Sequence, residues 1–174
     1  MAAGSRDAFA EFVALRSAAL QRAAYLMVGD VGLAQDLVQE ALTRTYIAWP
    51  KLRDPHRAEA YARKAITTTV IDWSRRRRWR AERAMPLPEA APDTITPDHA
   101  GDVDERTWLW MCLLRLPVRQ RAAIVLRYYE DLTERETAET MGCAIGTVKS
   151  QVAAGLAKLR PLVKDGLPPE EVHR

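Results

Sequence analysis

Two sets of side chains in this 174-residue chain are best suited to act on a ligand. One is the run Arg75-Arg76-Arg77-Arg78-Trp79-Arg80; the other is Thr147, Lys149, Ser150, Gln151, Ala154 and Lys158. The chemistry they offer is recognition rather than bond making. Clustered Arg residues supply planar, bidentate donors for phosphate, and Trp79 adds a platform on which a base can stack. Four consecutive Arg exceed what the macrodipole of one helix terminus favours, so a nucleic acid fits the run better than plain solvation does. Short polar and basic side chains in the second set suit base edges and phosphates. On their own they also suit the solvated face of an ordinary helical hairpin.

The elements that must position the second set are legible around it. Thr133 and Glu136 have the type and spacing of a capping box, which opens a helix by satisfying two orphan backbone donors reciprocally. Gly142 supplies the permissive backbone on which that helix stops. A second helix restarts near Ile145 and carries Val148, Val152, Leu156 and Leu159 on one apolar face, leaving the polar set outside. Glu130 to Arg160 therefore has the spacing of a helix-turn-helix, whose second helix can enter a major groove.

The rest of the chain reads as helices in series. Arg6 to Val28 repeats Phe9, Phe12, Val13, Leu15, Leu20, Ala24 and Met27 at helical intervals and stops before Gly29. Asp30 caps a second helix from Val31 to about Trp49, with Leu33, Leu37, Ala41, Leu42 and Ala48 inside and Pro50 beyond. Its other face carries a mixed stripe of Asp36, Glu40, Thr43, Arg44 and Ile47, a pattern most often solvated. Asp54-Pro55 starts a third helix to about Arg83, with Ala62, Ile66, Thr69, Val70 and Trp73 inside and Arg63, Lys64, Thr67, Thr68 and Arg75 outside. Its β-branched run Thr67 to Ile71 opposes helix formation locally, so packing must hold it. Asp102 to Leu116 and Arg119 to Glu130 give two further helices before the helix-turn-helix. The fold class is all-α: two small helical domains, 1–83 and 102–165, the second a helix-turn-helix, joined by a flexible, Pro-rich acidic linker at 84–101, with a tail at 166–174. Eighteen linker residues reach at most roughly 60 Å, so the domains can hold separate sites on one duplex.

Charge supports the same division. Lys51 to Arg83 contains eleven Lys or Arg against four carboxylates, whereas Glu89 to Glu105 contains six carboxylates and no base. A basic block followed by an acidic one suggests a polyanion-binding surface and a self-repelling linker. Cys112 and Cys143 lie far apart among apolar helical residues and read as buried, reduced thiols. His56, His99 and His173 stand apart, which speaks against zinc. No Walker loop, GxGxxG, HExxH or GxSxG motif is present, so nothing in the sequence asks for a cofactor or a metal, and no motif argues for an enzyme. The N-terminus lacks a basic n-region and no apolar run approaches 18 residues, from which a cytoplasmic protein is expected.

With these parts in order, the sequence resembles the extracytoplasmic-function (group 4) sigma factors of the sigma-70 family. GLAQDLVQEALTRTY from Gly32 to Tyr46 is similar to the family's helix that docks on the RNA polymerase clamp. AYARKAITTTVIDWSRRRR from Ala60 to Arg78 is similar to its promoter-melting helix, and Leu116 to Gln151 to its upstream-element reader. The resemblance implies a non-enzymatic subunit that binds core RNA polymerase, at its clamp and flap, and promoter DNA. It implies that Asp36, Gln39, Glu40, Thr43 and Arg44 face the polymerase, and that Arg63, Lys64, Thr67 and Thr68, with the Arg75 to Arg78 run, meet the −10 element. The loop from Lys51 through Arg53 to Arg57 matches the one that captures an unstacked base. Thr147, Lys149, Ser150, Gln151, Ala154 and Lys158 fall at the −35 reader. An anti-sigma factor that covers one of these faces is a further implied partner. Thr67-Thr68 replaces an Arg-Asn of many relatives, and Ala153-Ala154 stands where an Arg or aromatic residue is common, so promoter sequence does not transfer.

Two other readings compete. A conventional helix-turn-helix regulator predicts an autonomous dimer on a palindromic site. A helical scaffold or anti-regulator would use the Arg run on an acidic partner, without the steep salt dependence of phosphate binding.

Overall fold

The computed structural model describes residues 3–52, 55–83 and 105–164, and the side chains of 6–52, 56–76 and 108–163. Asp54, Arg53, the linker and the tail lie outside the described residues, as do the side chains of Arg77, Arg78 and Trp79. Among the described residues there is no strand. The described residues form, in order, α1 (Ala3–Val28), α2 (Val31–Ala48), α3 (Pro55–Arg83), α4 (Glu105–Leu114), α5 (Val118–Ile124), α6 (Glu134–Met141) and α7 (Ile145–Lys164).

The first three form one layer. Gly29, at φ 81°, turns the chain out of α1, and Asp30 Oδ1 accepts the Leu33 N–H at 2.6 Å to start α2. α2 buries Ala34, Leu37, Val38, Ala41 and Thr45, one stripe at helical spacing. Thr45 satisfies its hydroxyl by donating to the Ala41 carbonyl at 2.7 Å. Fully buried Ala58 and Ala62 carry no bulk, which lets α3 lie close to its neighbours. An aromatic cluster closes one end of the layer: Phe9 sits 4.9 Å from Tyr46 and 5.1 Å from Trp49, both edge-on. The 3-10 turn Trp49–Lys51 that follows α2 contains Pro50.

Three periodicity assignments change. Leu15 is exposed, because it lies about 140° around α1 from buried Leu20. On α3 the buried positions run Ala58, Ala62, Ile66, Val70, each four-residue step advancing about 40°, and finish on Ile71. That drift carries cover away from Trp73, which is 47% exposed, and brings it onto Thr67, which is fully buried. Thr67 is thus not on the outer face: its hydroxyl points at Met27 Sδ of α1, 4.0 Å away.

α4 to α7 form the second set. α5 continues into a π-helical turn, Val125–Tyr129, where the Glu130 N–H donates to the Val125 carbonyl five residues back at 3.0 Å. The expected single helix from Arg119 to Glu130 is therefore two segments of different pitch. Asp131 then takes a positive φ of 51°. Gly155 of α7 faces α5 so closely that a Cβ there would lie 2.6 Å from Ile124 Cδ1. Arg121 is buried with its guanidinium donating to the Leu114 carbonyl at the end of α4, and burial pushes its pKa down to about 10.

The two sets share one apolar core. Leu20, Met27, Leu37, Ile66 and Val70 belong to the same cluster as Ala122, Val125, Leu126, Met141 and Val148. Tyr25 of α1 stacks on Trp110 of α4 at 5.0 Å, nearly parallel at 12°.

Candidate functional site

The helix-turn-helix is built as its residue types require. The Thr133 N–H donates to Glu136 Oε2 at 2.8 Å and the Glu136 N–H donates to the Thr133 hydroxyl oxygen at 3.2 Å, so the capping box is closed. The Thr133 hydroxyl and then its backbone N–H hold the Glu136 carboxyl below the usual glutamate pKa. Gly142 ends α6 in the left-handed region, at φ 62° and ψ 44°. The Ala144 carbonyl then accepts from Thr147 and Val148 as α7 begins, and fully buried Val148 fixes the helix to the core.

The open face of α7 carries part of the expected reader. Lys149, Ser150 and Lys158 are exposed, whereas Thr147, Gln151 and Ala154 are half-buried. Ala153 and Arg160, absent from the expected set, share the open face with Lys149 and Ser150, at helical spacing that a finer period count would have found. Lys149 Nζ lies 3.5 Å from Glu134 of α6, and Ser150 donates to the Thr147 carbonyl at 2.9 Å. Arg135, also exposed, adds a cation on α6.

The α3 surface divides. Lys64, Arg75 and Arg76 are exposed, as are Lys51 and Arg57 near its start, and Thr68 is half-buried with its hydroxyl on the Lys64 carbonyl at 2.8 Å. Arg75 pairs with Asp72 at 3.3 Å. Arg63, expected outside, has a side chain only 14% exposed and is held by two carboxylates, Glu59 at 3.0 Å and Glu130 at 2.6 Å. Glu130 belongs to the second helical set, so the cover on Arg63 comes from 67 positions away. Lys64 and Arg135 line one shallow depression with Glu139 and the turn residues Gly142, Cys143, Ala144 and Ile145.

On α2, Asp36, Gln39, Glu40, Thr43 and Arg44 are all exposed. Arg44 and Glu40 pair at 2.5 Å, and Thr43 donates to the Gln39 carbonyl at 2.9 Å. Ile47, 74% exposed, and the partly exposed Tyr46 add apolar area to this stripe.

Among the described residues no group of three or more His, Cys, Asp or Glu could hold a metal ion, and no helix is long and apolar enough to cross a membrane. Cys112 is buried and Cys143 half-buried; both are free thiols whose pKa burial raises.

Comparison with known proteins agrees with the helical fold. Residues 13–80 match the family model for sigma-70 region 2, and residues 106–159 match the model for sigma-70 region 4. The chain is 39% identical over 160 residues to the RNA polymerase sigma-E factor of Streptomyces avermitilis, covering 92% of this chain and 87% of that protein. It is 30% identical over 145 residues to the ECF RNA polymerase sigma factor SigL of Mycobacterium tuberculosis, covering 83% and 82%. Among solved structures it is similar to the sigma factor RpoE in complex with the anti-sigma factor NepR from Bartonella quintana. That match has a TM-score of 0.67 at 25% identity, and spans 90% of this chain and 96% of the other. The order of the two matched regions, the helical fold and the extent of identity place this chain in the extracytoplasmic-function branch of the sigma-70 family, the sigma factors that support promoter-specific initiation of transcription by RNA polymerase.

Proposed function

We propose that this chain binds core RNA polymerase through the α2 stripe of Asp36, Gln39, Glu40, Thr43 and Arg44, and directs it to promoters by reading two DNA elements. The carrying observation is that all five stripe residues stand open beside exposed Ile47, on a chain that also holds a closed and capped helix-turn-helix. In this reading α7, with exposed Lys149, Ser150 and Lys158 and half-buried Thr147, Gln151 and Ala154, meets the −35 element. α3, with Arg63, Lys64, Thr68, the Arg75 to Arg78 run and the nearby Lys51, Arg53 and Arg57, meets the −10 element. Melting succeeds if extruded bases and separated phosphates gain stacking and charge contacts that offset a few kcal/mol of unstacking. Residues 1–83 and 102–165 act as the two DNA-reading units, with 84–101 between them. An anti-sigma factor is a fitting partner, as RpoE has in NepR. The role needs no covalent chemistry.

Affinity chromatography on immobilised core polymerase tests the first step. Stoichiometric retention of the chain by core, and its displacement by a second sigma factor, is the expected result. A chain that ignores core yet binds a palindromic duplex as a dimer returns the protein to the conventional regulators.

A further inference from the structure

Lys149 is the only Lys or Arg between Ile145 and Ala157, so over the first turns of α7 it is the one cation that can meet DNA. Its exposed neighbours offer little in its place. Gly146 and Ala153 have no side-chain donor, and the Ser150 hydroxyl already donates to the Thr147 carbonyl at 2.9 Å. Where the Lys149 ammonium points therefore decides much of what this helix can read.

The ammonium is held across the turn of the helix-turn-helix. Its Nζ lies 3.5 Å from Oε2 of Glu134, the first residue of α6. Glu134 is not needed to start that helix, because Thr133 and Glu136 close the capping box between them. The pair adds little to the fold either, since its side chains are 61% and 44% exposed. Toward DNA its cost is plain: the first helix of such a motif crosses the backbone, where a carboxylate repels phosphate.

What the carboxylate offers in return is direction. A lysine is a compact charge with three rotatable donors on a flexible stem, and unpaired it goes to whichever phosphate is nearest. Glu134 engages one donor and offsets the charge toward the backbone at large, leaving the other donors for a fixed acceptor pair such as guanine O6 and N7. Weaker phosphate attraction lowers binding to every sequence, whereas the base contact is kept with one, so the difference between sequences grows.

We propose that Glu134 is a specificity-determining residue of −35 recognition, a positioning residue that acts through Lys149 by holding its ammonium off the phosphates and on a guanine edge. The inference rests on the sigma-factor reading in taking α7 as the −35 reader.

The test uses the chain with core RNA polymerase on a promoter library randomised over the −35 element, with transcripts counted by sequencing and binding to a promoter-free duplex followed across a salt series. Glu134→Gln is expected to cut the preference for guanine at one position about fivefold, and to steepen the salt dependence on the promoter-free duplex by about one phosphate. Glu134→Asp, which keeps the charge on a shorter stem, retains about half of the preference and serves if Glu134→Gln loses its helical circular dichroism. Glu139→Gln removes the same charge from α6 at the carboxylate paired with Arg135, and leaves the preference unchanged. Lys149→Met abolishes the guanine preference, and Glu134→Gln added to it changes nothing further. Equal relaxation by Glu134→Gln and Glu139→Gln overturns the proposal, as does an effect of Glu134→Gln that persists beside Lys149→Met. A Glu134→Gln chain that melts earlier yet keeps the wild-type base preference assigns Glu134 to the fold alone and removes the proposal without touching the sigma reading. If wild type with core yields no transcript from the library, the sigma reading itself falls and the proposal with it.

Discussion

Arg63 and Glu130 form a 2.6 Å ion pair between residues 67 positions apart, and with it the two helical sets of the chain are joined at their polar edge as well as through their apolar core. Both side chains are more than four-fifths covered, which makes the pair less screened than a surface salt bridge.

Removal of either partner is therefore unequal. Arg63→Gln strands the covered Glu130 and leaves Glu59 with Arg16 as its cation, and is expected to cost about 2 kcal/mol. Glu130→Gln leaves Arg63 on Glu59 and costs about half as much. Urea denaturation of the two variants and of the double variant measures this, and additive losses contradict a direct pair.

Gly142 carries the turn of the helix-turn-helix at φ 62°, with nothing within 4 Å of an added Cβ. The cost of Gly142→Ala is thus backbone strain alone, about 1 kcal/mol, and Gly142→Asn, which tolerates the left-handed region, costs less. Thermal melts that rank Ala above Asn in stability contradict the assignment.

Thr133→Ala opens the capping box and is expected to lower stability by about 1 kcal/mol. Glu136 has its pKa depressed by the Thr133 hydroxyl and N–H, so its contribution is complete above the ordinary glutamate value near 4.5 and is lost as pH falls through the lower folded value. Wild type should therefore lose stability on acidification below about pH 4.5 more steeply than Glu136→Gln. Parallel pH profiles for the two proteins contradict the capping role.

How much of this was legible in the sequence depends on the range of each interaction. Asp30, the Thr133–Glu136 box and Gly142 act within four residues, and their roles follow from residue type and spacing. The α2 stripe is likewise one helix period read on one helix. Local periodicity puts Arg63 about 100° and Thr67 about 140° around α3 from Ala62, which reads as the open face. What covers them is Glu130 in one case and Met27 in the other, and no local pattern encodes a partner 67 or 40 positions away. The π-helical turn was hidden for a related reason. Val125 to Tyr129 has the composition of an ordinary helix, and the five-residue hydrogen bond of Glu130 is visible only once the backbone is built.

On the α2 stripe, Glu40→Lys reverses a charge that pairs with exposed Arg44, a surface i,i+4 ion pair of a kind worth about 0.3–0.5 kcal/mol. Binding to core polymerase is expected to weaken at least about tenfold while the melting temperature moves by only a degree or two. Unchanged affinity for core places the docking surface elsewhere.

The most direct measurement is run-off transcription with purified core RNA polymerase on a library of genomic fragments, with and without the chain. Discrete transcripts from a small set of promoters, present only when both chain and core are supplied, are the predicted result. Transcription identical to that of core alone, under conditions where another sigma factor restores initiation, contradicts the assignment of promoter recognition to this chain.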